Sequence, residues 1–232
     1  MPDLVPVSAA ADELSVHPSR VRALIASGDL TAEKVSGVWL VDRASIAGRS
    51  REHVAAGRPL SPGNAWALLL AASGEELPPE FDSSARWRVR HALEIYGLDG
   101  LRPRLARRAE PSSYWALGGE LRALRDRAEL VLSGPSAAAA YDLGLAGSET
   151  IDAYMPARLL VQLQREHALE RMSGPEVNVV LRAVADDVWS LDGRRFAPLA
   201  AVAVDLCSYA DPRAARVGAE TIAGIDRDLG AV

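Results

Sequence analysis

The sequence predicts an α+β chain in three parts: a small helical module with a hairpin over residues 1–57, a helical arginine-rich segment over 58–108, and a mixed α/β domain over 109–232. Three observations carry this reading. Two short helices with one apolar face each are followed by two extended runs around Ser36-Gly37. Helix-periodic segments come next, after Gly57-Arg58-Pro59. Beyond Arg108, strand-like and helix-like segments alternate, which is the pattern of an α/β or α+β domain. A length of 232 residues is consistent with one to three domains of about 100 to 200 residues each.

The N-terminal module is read element by element. Ser8 to Leu14 forms a short helix, with Ser8 as its N-cap and Ala10, Ala11 and Leu14 on one face. A second helix starts at Pro18-Ser19, where proline suits a first turn, and its Val21, Leu24 and Ile25 make a buried stripe. Gly28 closes it. Leu30–Val35 and Val38–Val41 then pair across Ser36-Gly37 as a tight hairpin, and Asp42 N-caps a third helix holding Ala44 and Ile46.

The rest of the chain is read the same way. Ser61 to Ser73 is an apolar helix containing Trp66 and Leu68 to Leu70, stopped by Gly74, and the stretch around Pro78-Pro79 is a loop. A helix from Ser83 to Tyr96 places Trp87, His91 and Ile95 four residues apart, Gly97 ends it, and a short arginine-rich helix runs to Arg108. The alternating segments that follow are Glu129–Ser133, Ser136–Leu143, Thr150–Tyr154, Pro156–His167, Val177–Val184, Pro198–Tyr209 and Asp211–Asp228.

Composition narrows the class of function. Hydrophobic residues make up 49% and charged residues 25%, so a real core can be buried. One cysteine, Cys207, lies in an apolar run with no intramolecular partner, which fits a reducing compartment and a core position. No basic-then-apolar leader and no run of 18 apolar residues is present, so a soluble cytoplasmic protein is expected. The net charge of −5 is distributed unevenly: residues 1–58 are neutral, residues 86–108 carry +5, and residues 128–232 carry −6. Phosphate repels an acidic half, so DNA contact is expected from the N-terminal half.

The function is carried by the spacing Ala11-x-x-Leu14-Ser15-Val16-His17-x-x-x-Val21-x-x-Leu24-Ile25, followed by Gly28-x-Leu30 and the hairpin. Small Ala11 lets two helices cross closely, and Val21, Leu24 and Ile25 seat the second one. Its outward face is left with Ser19, Arg20, Arg22 and Ser27, side chains of the kind that contact bases and phosphates in a major groove. This stretch resembles the winged helix-turn-helix of the MerR/excisionase family, with Gly37-Val38-Trp39-Leu40-Val41-Asp42-Arg43 where that family has its wing. Ser15 stands where a glycine is common, and the wing tip lacks the arginines many relatives carry. The resemblance implies a sequence-specific regulator of double-stranded DNA. His17, Ser19, Arg20, Arg22, Ser27, Lys34, Ser36 and Arg43 are then its DNA-contacting residues.

The segments Asn64 to Leu69, Val131 to Ala137, Asn178 to Arg182 and Ala197 to Ala200, with Asp211-Pro212-Arg213, resemble antitoxin regulators of AbiE-like (type IV) toxin–antitoxin operons. That resemblance implies an autorepressing antitoxin with a nucleotidyltransferase-like toxin as partner. A homodimer or a cooperative assembly on DNA is expected, since one module normally reads only a half-site. The alternative is an interaction scaffold with no DNA role, whose C-terminal domain binds a partner.

Other signals point to no enzyme, cofactor or metal. His17, His53, His91 and His167 are scattered, Asp186-Asp187 reads as a solvated turn, and Leu132 to Ser136 lacks the lysine and spacing of a phosphate loop, so Ser136 reads as a helix N-cap. The arginine cluster offers Arg86, Arg90, Arg104 and Arg108 as secondary phosphate contacts; the competing reading pairs them with the acidic C-terminal half.

Overall fold

The structure is a computed structural model that describes residues 4–14, 18–26, 30–35, 37–43, 45–46, 58–145 and 149–230. The chain is mixed α+β with two sheets and divides into two compact units, residues 1–57 and 58–232. The arginine-rich segment belongs to the second unit with everything that follows it; it is not a separate body.

The first unit is built from β1 (Leu4–Pro6), α1 (Val7–Glu13), α2 (Pro18–Ala26), β2 (Ala32–Val35) and β3 (Val38–Asp42). Its antiparallel sheet has the order β1-β3-β2, with Val35 opposite Val38 at the hairpin end. Gly37 stands there at φ +84°, a left-handed conformation that glycine adopts without a Cβ penalty. The core is Val5, Ala10, Ala11, Val21, Leu24, Leu30, Val41 and Ile46. One expectation shifts: α1 starts at Val7, so Ser8 lies inside it. Asp42 ends β3, its N–H donating to the Thr31 carbonyl at 2.9 Å. β1 was not legible in a three-residue stretch that ends on proline.

The second unit contains α3 (Pro62–Ala72), α4 (Ser83–Leu101), a 3-10 helix at Arg102–Arg108, β4 (Glu110–Trp115), α5 (Gly118–Arg125), β5 (Val131–Leu132) and α6 (Gly134–Ala137). It continues through β6 (Ile151–Pro156), α7 (Leu160–Glu166), β7 (Glu170–Arg171), β8 (Val179–Val184), α8 (Leu199–Leu206) and α9 (Pro212–Leu229). The sheet order is β5-β6-β8-β4-β7; β6 and β8 run parallel and every other pair is antiparallel. All six residues of β6 are buried, as befits a strand covered on both faces. α8 is buried from Ala200 to Leu206, with α9 and α3 packed against it and α9 also packed against α4.

Caps explain where the helices begin. Ser61 and Asp82 accept from the backbone N–H groups of Asn64 and Ala85, and Asp211 accepts from Arg213 and Ala214 at the start of α9. As expected, the regular helix from Ser83 ends at Gly97, which stands at φ 63° and ψ 172° inside α4, and a short helical stretch resumes beyond it. The two N–H groups freed beyond the break, Leu98 and Asp99, are taken by the Asp226 carboxylate from α9, at 2.5 and 3.3 Å. A Cβ at Gly97 would lie 2.8 Å from that carboxylate, so the break requires glycine for space as well as for φ. Among the described residues no helix is long and apolar enough to cross a membrane.

Candidate nucleic-acid interface

α2 separates its residues by face. Val21 and Leu24 are 0% and 4% exposed and seat the helix on α1 and the sheet, whereas Ser19 and Arg22 are exposed. The amphipathic period that buries one stripe therefore presents the other to solvent. Leu30 donates to the Leu24 carbonyl at 3.2 Å, closing the helix and leading straight into the hairpin.

On the hairpin, Lys34 and Trp39 are directly opposed, and the lysine ammonium lies 5.9 Å from the ring centroid. Contact with the ring holds a long side chain in place while its charge stays in water. Val35 and Val38 are 45% and 56% exposed, so the hairpin end is apolar, with one lysine at its edge. Arg43, just past β3, donates to Glu13 Oε1 from Nε and Nη2 at 3.1 and 2.8 Å, tying the strand to α1. Glu13 thus shares the charge of Arg43. Of the other expected DNA contacts, His17, Ser27 and Ser36 lie outside the described residues, and Arg20 is placed only by its backbone in α2.

The arginine cluster of the second unit is not one surface. Arg108, expected on the outside, is buried; this corrects the reading of it as a phosphate contact. Its Nη2 donates to Asp205 at 2.6 Å, its Nε to the Tyr154 hydroxyl at 2.8 Å, and its Nη1 to the Leu105 carbonyl at 3.1 Å. Arg86 is half-buried and donates to the carbonyls of Phe81, Leu77 and Pro78, so it ties down the loop ahead of α4. Arg104 is half-buried and donates to the Arg58 carbonyl at 3.3 Å. Arg90 is exposed.

Arg108 belongs to a charged core that sequence reasoning missed. Arg182 on β8 grips Asp152 on β6 through two bonds of 2.7 and 2.8 Å and reaches Asp205 on α8 at 3.2 Å. Ser133 and Tyr154 donate to Asp205 at 2.5 and 3.1 Å, and Tyr209 donates to Asp152 at 2.8 Å. Trp66 packs edge-on against Tyr154 at 4.8 Å and donates to the Arg108 carbonyl at 3.0 Å. Two carboxylates face two guanidiniums, so the core is neutral as a set. Burial alone pushes the Asp205 carboxyl up, but Arg182 and Arg108 outweigh it and hold it below the usual carboxylate range. At Asp152 burial wins over Arg182 and the carboxyl is raised. The signal for this core was present in sequence: Asp152, Arg182 and Asp205 each interrupt an otherwise apolar run.

Ser136 does not cap α6. Its hydroxyl donates to the Thr150 carbonyl at 2.9 Å and accepts the Asp152 N–H at 2.8 Å, fastening α6 to the start of β6. Asp186 and Asp187 are exposed, with Asp186 paired to Arg158 at 2.8 Å. Burial raises the Cys207 thiol, the state of a packing cysteine. No group of three His, Cys, Asp or Glu side chains among the described residues is arranged to hold a metal ion. The chain matches no protein-family model, no curated protein and no solved structure.

Proposed function

We propose that the chain is a sequence-specific regulator that binds double-stranded DNA through a winged helix-turn-helix in its first unit, with α2 as the reading helix and the β2–β3 hairpin as the wing. The observation that carries this is the division of α2, in which Val21 and Leu24 are sealed into the core while Ser19 and Arg22 face outward beside a hairpin. Arginine at such a position is suited to bidentate contact with guanine O6 and N7, and serine to bases or phosphates. Lys34 and Arg43 flank the hairpin as backbone contacts, and the apolar hairpin end is suited to sugar and groove-wall contact. The absence of arginine at that end places most base discrimination on α2.

The finer reading is an autorepressing antitoxin of a toxin–antitoxin operon, in which the second unit engages a nucleotidyltransferase-like toxin. It is supported by the sequence resemblance of residues 64–69, 131–137, 178–182 and 197–200. Footprinting of the full chain on the sequence upstream of its own gene tests the DNA reading. A protected repeated element is expected, and unprotected DNA at low salt overturns the reading in favour of an interaction scaffold. Co-purification with the product of the adjacent gene tests the antitoxin reading separately.

A further inference from the structure

α4 carries an apolar stripe that nothing among the described residues of the second unit covers. Trp87 and Ile95 are 61% and 56% exposed, with exposed His91 between them. At 3.6 residues per turn, positions four apart differ by only about 40° around the axis, so the three side chains form one row. Trp87 is stacked on His91, ring centroids 4.6 Å apart and planes 20° from parallel. One flank of the row opens onto an apolar pocket of about 440 Å³, lined by Leu93, Leu199, Ile225 and Leu229, with Arg90 and Glu94 on its α4 side.

The geometry of one helix says what fits this face. A two-fold axis placed beside His91 sets a second copy of α4 antiparallel to the first. Trp87 then lies over the Glu94 flank of the other copy, because positions 87 and 94 fall on the same side of the row; that is the side on which the pocket opens. Arg90 of each copy comes within about one helical turn of Glu94 of the other, on that same flank. The largest exposed ring meets the apolar hollow, and opposite charges meet beside it. A second copy supplies both complements without any further assumption, as an isologous contact must.

We propose that Trp87, His91 and Ile95 form the homodimer interface of this chain, with two α4 helices packed antiparallel about a two-fold axis at His91. Trp87 of each copy is the anchor in the apolar pocket of the other, and Arg90 and Glu94 set the orientation. The inference deepens the proposed function, since a regulator with one reading helix per chain recognises two half-sites as a dimer.

Sedimentation equilibrium of the full chain without DNA tests it. The wild type is expected to dimerise, and Trp87→Ala to raise the dimer Kd by about thirty-fold or more, the loss typical of a buried tryptophan anchor. Arg90→Glu is expected to dissociate the dimer and the double variant Arg90→Glu/Glu94→Arg to restore it, with thermal melts unchanged. His91→Cys, on the axis, forms a covalent dimer on mild oxidation, whereas the wild type, whose one cysteine is Cys207, does not. A wild type that stays monomeric at its highest soluble concentration overturns the proposal. So does a double variant as dissociated as Arg90→Glu alone, or a dimer that survives Trp87→Ala. Because no DNA is present, failure here leaves the DNA reading to its own footprint, and an empty footprint leaves the dimer standing.

Discussion

Replacing Arg108 with methionine removes one guanidinium from a core that is neutral as a set. Asp152 and Asp205, both fully buried, then share Arg182 alone, which reaches them at 2.7 and 3.2 Å. One negative charge is left without a partner, and removing one member of a buried ion pair costs about 3 to 5 kcal/mol. Methionine fills most of the vacated volume, so little of this comes from a cavity. Urea unfolding measures it, with Trp39 reporting on the first unit and the other tryptophans on the second; only the second transition is expected to move. The deficit also has a pH signature. Arg108 is one of the two arginines that hold the Asp205 carboxyl down against its burial, so losing Arg108 raises that carboxyl and the variant's folded core takes up a proton. A group raised in the folded state contributes stability that is present at low pH and lost as pH rises through its folded pKa. Arg108→Met is therefore closest to wild type near pH 5 and furthest from it near pH 8. A loss below about 1 kcal/mol, the range of an exposed pair, or a deficit flat across that pH range, refutes the account of Arg108 as core.

Three further outcomes are expected. Arg22→Ala weakens specific DNA binding by about 1 to 3 kcal/mol in gel shifts and relaxes preference at one base pair, with the first unit's melting unchanged because the side chain is exposed. Gly218→Ala destabilises the second unit by about 1 to 3 kcal/mol in urea unfolding, since its Cβ would stand 2.7 Å from the Ala203 carbonyl oxygen and 2.8 Å from the Cys207 nitrogen, backbone atoms that cannot swing aside. Arg86→Ala leaves the slope of log affinity against log salt unchanged, because its guanidinium is engaged by the carbonyls of Leu77, Pro78 and Phe81; a slope flattened by about 0.9 would return it to the phosphate-contacting set.

What could be read in the sequence follows from how local its cause was. α3, α9 and α2 were legible because each carries its own start signal and apolar period: Ser61-Pro62, Asp211-Pro212, and Pro18 with the Val21/Leu24 stripe. β4 was not legible, because Glu110-Pro111-Ser112-Ser113 has no alternation; its place is set by pairing with β8, about seventy residues further on. α5 starts on Gly118-Gly119 after an uncapped Leu117, so propensity argues against a helix, and only the packing of Leu121 and Leu124 on the core holds it. In the candidate interface, the outward face of α2 was readable from periodicity, whereas the pairing of Arg43 with Glu13 depends on β3 returning to α1 thirty residues later.

The arginines show why charge counted along a chain misleads. Seven arginines against two acids within residues 86–108 suggest a basic face, yet the fold gives them different tasks. Arg108 neutralises a carboxylate on α8, ninety-seven residues away, and Arg86 ties down a loop through main-chain carbonyls. Arg102 pairs with Asp99 one turn before it. Arg90 stays exposed beside an apolar pocket and a glutamate, a setting for a protein contact more than for phosphate, whose approach Glu94 opposes. Local excess charge therefore says little about DNA where its counter-ions sit on distant strands and helices. The surface that the proposed DNA reading rests on is instead the face of α2 in the first unit, where the apolar period leaves Ser19 and Arg22 exposed whatever the net charge of the chain.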